Sequence, residues 1–125
     1  MAEIFAHLNA HQPNEACGVL GGQGGRVLKV YPVSNATPSP VRYTMEPNEQ
    51  VRAMMEIEER GWELVGIFHS HPAGPPVPSE TDVAEAYYPD SAYVICAPDS
   101  DGGWQARAFE LKNGTAREIE LHIKD

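Results

Sequence analysis

The chain has 125 residues, 42% of them hydrophobic and 22% charged, enough to bury the core of one ordinary domain over residues 1–125 without disulfide staples. Nine basic residues against eighteen acidic ones leave a formal charge of -9, which repels phosphate backbones and anionic lipid surfaces, so neither nucleic acid nor a membrane is an expected partner. The start MAEIFAHLNAHQ lacks the basic and apolar regions of a signal peptide, no apolar run could span a bilayer, and Cys17 and Cys96 sit in runs that suit buried thiols, so a cytoplasmic, disulfide-free protein is expected.

Ile4, Phe5 and Leu8 fall at helical spacing before Pro13 and predict a short amphipathic helix, on which His7 and His11 are expected to face solvent. ACGVLGG and RVLKVYPVSN, separated by QGG, read as a hairpin, and VRYTM as a further strand. Pro47 is placed to open a helix running to about Arg60, with Val51, Met54, Met55 and Trp62 as its buried stripe and Gly61 as its stop. ELVGIFHSH is an apolar strand that runs into a proline-rich loop, and SETDVAEAYY is a helix ending before Pro89. AYVICAP reads as a buried strand, while WQARAFEL and AREIELHI form a late hairpin around KNG. This order predicts an α/β or α+β sandwich in which helices flank a mixed sheet.

The chemistry is concentrated in GIFHSHPAGPPVPSETD, residues 66–82. Side chains two apart on a strand share a face, so His69 and His71 can offer ring nitrogens to one ion at the strand end. Pro72 stops the strand, and the stiff turn PAGPPVP brings Ser79 and Asp82 back toward it. Two imidazoles and one carboxylate leave a fourth position open, the ligand set of a catalytic zinc site. Ser-x-x-Asp is equally a helix-capping pattern, and the two readings are compatible, because the helix start that caps also aims the carboxylate. Glu15, just before the apolar strand ACGVLGG, is the candidate base; it also reads as an exposed acid at a strand end, and Glu46, Glu63 and Glu80 are lower-ranked rivals.

Glu15 in NEACGVLGG, then H-S-H-P, then Ser79 and Asp82 after the loop, together resemble the JAMM motif of the MPN domain metallopeptidases, in the family's order from about residue 14 to 97. The resemblance implies an α/β sandwich similar to that of cytidine deaminases. It implies that His69, His71 and Asp82 bind Zn2+ with water as the fourth ligand. Glu15 would take the water's proton and pass it to the leaving amine, and Ser79 would donate to the oxyanion.

With 125 residues the chain resembles the compact prokaryotic branch, whose members cleave after the C-terminal Gly-Gly of ubiquitin-like sulfur carriers. The expected partner is such a carrier; whether cysteine or a lysine-linked protein is released stays open, as does a homodimer. A RadC-like DNA-repair relative is disfavoured by Ser70 between the histidines, by Glu15 upstream and by the acidic charge; a non-catalytic MPN scaffold, by the complete ligand set. A zinc deaminase is excluded because its P-C-x-x-C cysteines are absent.

Overall fold

In chain order the elements are α1 (Ala2–His11), β1 (Cys17–Gln23), β2 (Arg26–Val33), α2 (Pro47–Glu59), β3 (Glu63–Ser70), α3 (Glu80–Ala84), β4 (Ala92–Pro98), β5 (Trp104–Lys112) and β6 (Thr115–Ile119). They come from a computed structural model that describes residues 1–120, so the end of the expected AREIELHI strand lies outside the described residues. One sheet runs in the order β2-β1-β3-β4-β5-β6. Neighbours are antiparallel except β3 and β4, which run parallel, with the proline loop and α3 in their crossover.

Helices cover both faces, because the central strands are apolar on both sides rather than alternating. Toward α2 the sheet presents Cys17, Val19, Ile67, Ile95 and Phe109, packed against Ala53 and Ile57. Toward α1 it presents Leu20, Phe68, Val94 and Cys96, packed against Ile4 and Leu8. Gly18 is small for a steric reason, since a Cβ there would come within 2.3 Å of the Phe68 ring and 2.6 Å of the Tyr31 carbonyl oxygen. The mixed sheet between helices is the architecture expected from the sequence.

Four local expectations are corrected. The buried residues of α2 are Ala53 and Ile57, whereas Val51 and Met55 are 55% and 53% exposed and Met54 is half-buried; Trp62, just beyond the helix, packs against the core as expected. The start of α2 is as expected, with Pro47 in the first turn and Glu46 accepting from Glu49 N at 2.7 Å.

VRYTM is not a strand. A single bridge joins Asn35 to Met45, and the rest of the segment is an irregular strap tied to Glu15 through Ser39 O and Asn35 Nδ2. Pro38 and Pro40 deny it a ladder, and the Asn35 side chain takes backbone groups that a ladder would use. The third helix is also shorter than expected. It stops at Ala84, and the following Tyr88 is held through contacts elsewhere, its N–H donating to Tyr93 Oη at 3.1 Å and its hydroxyl accepting from Gln50 Nε2 at 3.3 Å. His7 does not face solvent either: its Nε2–H donates to Cys17 O at 3.0 Å.

Candidate metal centre

The site stands at the carboxyl end of β3, where the one parallel strand pair among the described residues opens a crevice for a ligand. His69 lies between Cys17 of β1 and Ile95 of β4 in the sheet register and is 1% exposed. His71 follows just beyond the strand, its N–H donating to Cys96 O at 2.7 Å. Asp82 enters from the start of α3. There Ser79 Oγ accepts from Asp82 N at 3.0 Å and Asp82 Oδ2 accepts from Ser79 N at 2.8 Å, which is the capping box anticipated from Ser-x-x-Asp.

Three of the nominated side chains meet at one point. His69 Nε2 and His71 Nε2 are 3.1 Å apart; Asp82 Oδ2 is 3.0 Å from His71 Nε2 and Oδ1 is 3.3 Å from His69 Nε2. Ligands of a tetrahedral ion with bonds of about 2.0–2.1 Å lie about 3.3 Å from one another, so this donor set has the spacing a zinc ion needs. Glu15 belongs to the same cluster: its carboxylate and the two imidazoles present ligand atoms within 4.8 Å of one another. Glu15 is 5% exposed.

The tautomer of His71 follows from its partners. A carbonyl can only accept, so Nδ1 carries the proton that bonds Pro75 O at 2.9 Å, and Nε2 is the ring nitrogen that faces Asp82 and His69. No such partner exists for His69, whose Nδ1 is buried without a hydrogen-bond partner among the described residues. The Tyr43 ring lies against it instead, with centroids 4.7 Å apart and planes 25° from parallel.

Burial sets the electrostatics, and the carboxylates answer it. Desolvation lowers the pKa of His69. It pulls on His71 in the same sense, but the hydrogen bond and charge of Asp82 prevail and the value is raised. Burial would raise Asp82; hydrogen bonds from His69 and His71 outweigh it and hold the carboxyl well below its usual range. Burial pushes Glu15 up to about 7, the charge of His71 opposing the rise and that of Asp82 adding to it, and near that value a carboxylate can both take and return a proton.

Sequence reasoning missed three supporting residues. Ser70, buried between the two histidines, accepts from Ala16 N at 2.9 Å, while its own N–H donates to Ala16 O at 3.0 Å. Asn35 donates to Glu15 O at 3.0 Å and grips the strap at Arg42 O, Thr37 N and Thr44 N. Tyr43 is the residue that this strap carries onto His69. The one available signal was Asn35 itself, an amide following an apolar strand, where a side chain commonly organises the next turn.

Two hollows flank the centre. One, beside His69 and Asp82, is walled by Tyr43, Tyr87, Tyr88 and Tyr93 with Glu85 at its edge. The other, beside Glu15 and His71, is lined by Pro40, Val41, Pro75, Val77, Pro78 and Ser79.

A mixed sheet between two helices, with His-x-His at a strand end facing a capped aspartate, is a JAB/MPN architecture, and the chain belongs to that family: the family described as prokaryotic homologs of the JAB domain matches residues 1–112. Among individual proteins it is similar to the desampylase of Haloferax volcanii, 44% identical over 115 residues that cover 90% of this chain and 80% of that one. It is similar also to the CysO-cysteine peptidase of Mycobacterium tuberculosis, 33% identical over 122 residues, covering 96% of this chain and 84% of that one. A solution structure of a protein from Desulfitobacterium hafniense superposes with a TM-score of 0.86 at 37% identity, covering all of this chain (100%) and 88% of that one.

Proposed function

We propose that this protein is a zinc-dependent peptidase or isopeptidase that hydrolyses the bond after the C-terminal Gly-Gly of a ubiquitin-like sulfur-carrier protein. The observation that carries the chemistry is the convergence of His69, His71 and Asp82 at 3.0–3.3 Å with the Glu15 carboxyl beside them. The substrate class is supported by the relatives, one named a desampylase and another a CysO-cysteine peptidase.

His69, His71 and Asp82 would hold the ion. When bound, zinc lowers the pKa of water from about 15.7 to about 7 and polarises a carbonyl. Glu15 takes the proton of the attacking water and returns it to the departing amine nitrogen, a service worth roughly 10² to 10⁴ in rate. Ser79 already spends one lone pair of its hydroxyl on Asp82 N, so the O–H proton is free to point at the oxygen that gains charge. Buried walls around His69 and Glu15 exclude water and strengthen each of these contacts. The hollow of prolines and valines beside Glu15 offers an extended tail of two glycines a surface that its backbone can approach closely.

The test measures two quantities on protein purified without a histidine tag. Metal per chain is determined for wild type and His71→Ala, and both are then given Gly-Gly-terminated carriers joined either to cysteine or to a lysine-linked protein. About one zinc in the wild type, little in the variant, and cleavage after the second glycine support the proposal. Stoichiometric zinc with no cleavage of either fusion rejects the substrate class; no zinc uptake rejects the metal centre.

A further inference from the structure

We propose that Tyr43 is a positioning residue for this centre, its ring holding the His69 imidazole in the orientation that a hydrogen bond ordinarily imposes on a ligating histidine. The inference rests on the metal reading of the site and adds to it a residue outside the motif.

A histidine that ligates a metal generally donates its second ring N–H to a carbonyl or carboxylate, which fixes the plane of the ring and the nitrogen that faces the ion. His71 does this through Pro75 O at 2.9 Å. His69 does not, since its Nδ1 is buried without a hydrogen-bond partner among the described residues. Away from the cluster, the ring is held by packing. Cys17 and Ile95 stand beside it across the sheet, and the Tyr43 ring covers one of its faces at 4.7 Å and 25°, an offset-stacked geometry.

Tyr43 can hold another ring only if it is held itself, and the strap supplies that. Asn35 Nδ2 donates to Arg42 O at 3.2 Å and Asn35 Oδ1 accepts from Thr44 N at 3.0 Å, so one buried side chain clamps the backbone on both sides of Tyr43. The clamp continues through Ala36 N to Thr44 O at 2.7 Å and Glu46 N to Ser34 O at 2.9 Å. A segment that forms no strand is thereby tied by hydrogen bonds on both sides of the point where it meets His69.

The experiment compares wild type, Tyr43→Phe and Tyr43→Leu. Zinc affinity is read by competition with a chromophoric chelator, and the His69 ring protons are observed by NMR in metal-free protein whose folding is confirmed by its thermal transition. Phenylalanine keeps the ring and should bind zinc within about threefold of wild type, whereas leucine should weaken binding by about 10- to 100-fold, the usual effect of losing an outer partner of a ligand. The His69 protons should be shifted upfield by the neighbouring ring in wild type and Tyr43→Phe, and should lose that shift in Tyr43→Leu. Should the leucine variant unfold, Tyr43→Met keeps apolar bulk without a ring and is read in the same way. Equal affinity in all folded variants overturns the role of Tyr43 alone, as does a phenylalanine variant as weak as leucine. A wild type that takes up no zinc overturns the metal reading beneath it.

Discussion

Ser70 and Ala16 hold each other twice, through Ala16 N to Ser70 Oγ at 2.9 Å and Ser70 N to Ala16 O at 3.0 Å. One partner is the residue between the two histidines and the other directly follows Glu15. The pair lies one step beyond the Cys17–His69 pair of the β1–β3 register, joining the last residue of β3 to the residue before β1, and so ties Glu15 to the segment that carries the imidazoles.

Ser70→Ala should therefore act on both stability and catalysis. Ala16 is fully buried, so its N–H would be left without a partner, at about 1–3 kcal/mol. The denaturation midpoint should fall, and turnover should fall with zinc content unchanged. A variant with wild-type stability would show that water or a shifted backbone replaces the hydroxyl.

At Ser79 capping and catalysis can be separated. Ser79→Ala removes the cap at about 1 kcal/mol and the proposed oxyanion donor at roughly 10² to 10³ in kcat. Glycine is nearly as good a cap as serine, so Ser79→Gly should recover most of the stability and none of the activity. Thermal midpoints and single-turnover rates on the two variants decide this, and recovery of both by glycine would exclude the hydroxyl from the chemistry.

Glu15→Gln should keep its zinc and lose roughly 10² to 10⁴ of the rate, which metal analysis and kinetics read together. With the metal stripped, the same substitution has a pH signature. Burial raises Glu15 to about 7, so between its ordinary value and 7 the folded state keeps a proton that the unfolded state has released. Wild-type stability should fall relative to Glu15→Gln as pH rises through that window, then run parallel above it. Thermal midpoints of metal-free protein across the window test the sign.

Both thiols should be inert in the native protein. Burial, with the Glu15 charge behind it, pushes Cys17 up to about 12, and burial pushes Cys96 to about 12. Cys17 Sγ also donates to Val33 O at 3.5 Å. At mildly alkaline pH an alkylating reagent should label neither residue until denaturant unfolds the chain, as mass spectrometry would show. Labelling of native protein at either position would show that the sheet opens locally there. Because the folded state keeps these protons longer than the unfolded one, stability should also decline once pH exceeds the ordinary thiol range of about 8.5.

The parts of the site legible in the sequence were those set by short-range rules. Period-two spacing put His69 and His71 on one face, Pro72 ended the strand, and Ser-x-x-Asp fixed a helix start that the structure reproduces as a capping box. β4 has the predicted bounds because its run is apolar on both faces and ends at a proline. What could not be read depends on contacts distant in the chain. Asn35 reaches Glu15 and Arg42, Ser70 reaches Ala16 across 54 residues, and Tyr43 meets His69 from a strap that resembles a strand in composition. The stripe of α2 differs for a related reason: Val51 and Met55, four apart, form one apolar row and Ala53 and Ile57, four apart, form another, and only contact with the sheet decides which is buried.

The doubled duty of Asp82 has an evolutionary reading. Its Oδ2 both caps the third helix through Ser79 N and faces His71, so a chain drifting toward a non-catalytic scaffold would weaken the start of a helix if it replaced this carboxylate. Outside the cluster the His71 ring bonds only Pro75 O, among the described residues. On the proposed reading of the site, His71 is thus the residue expected to change first in descendants that abandon catalysis, and Asp82 the one to persist for the sake of the helix start.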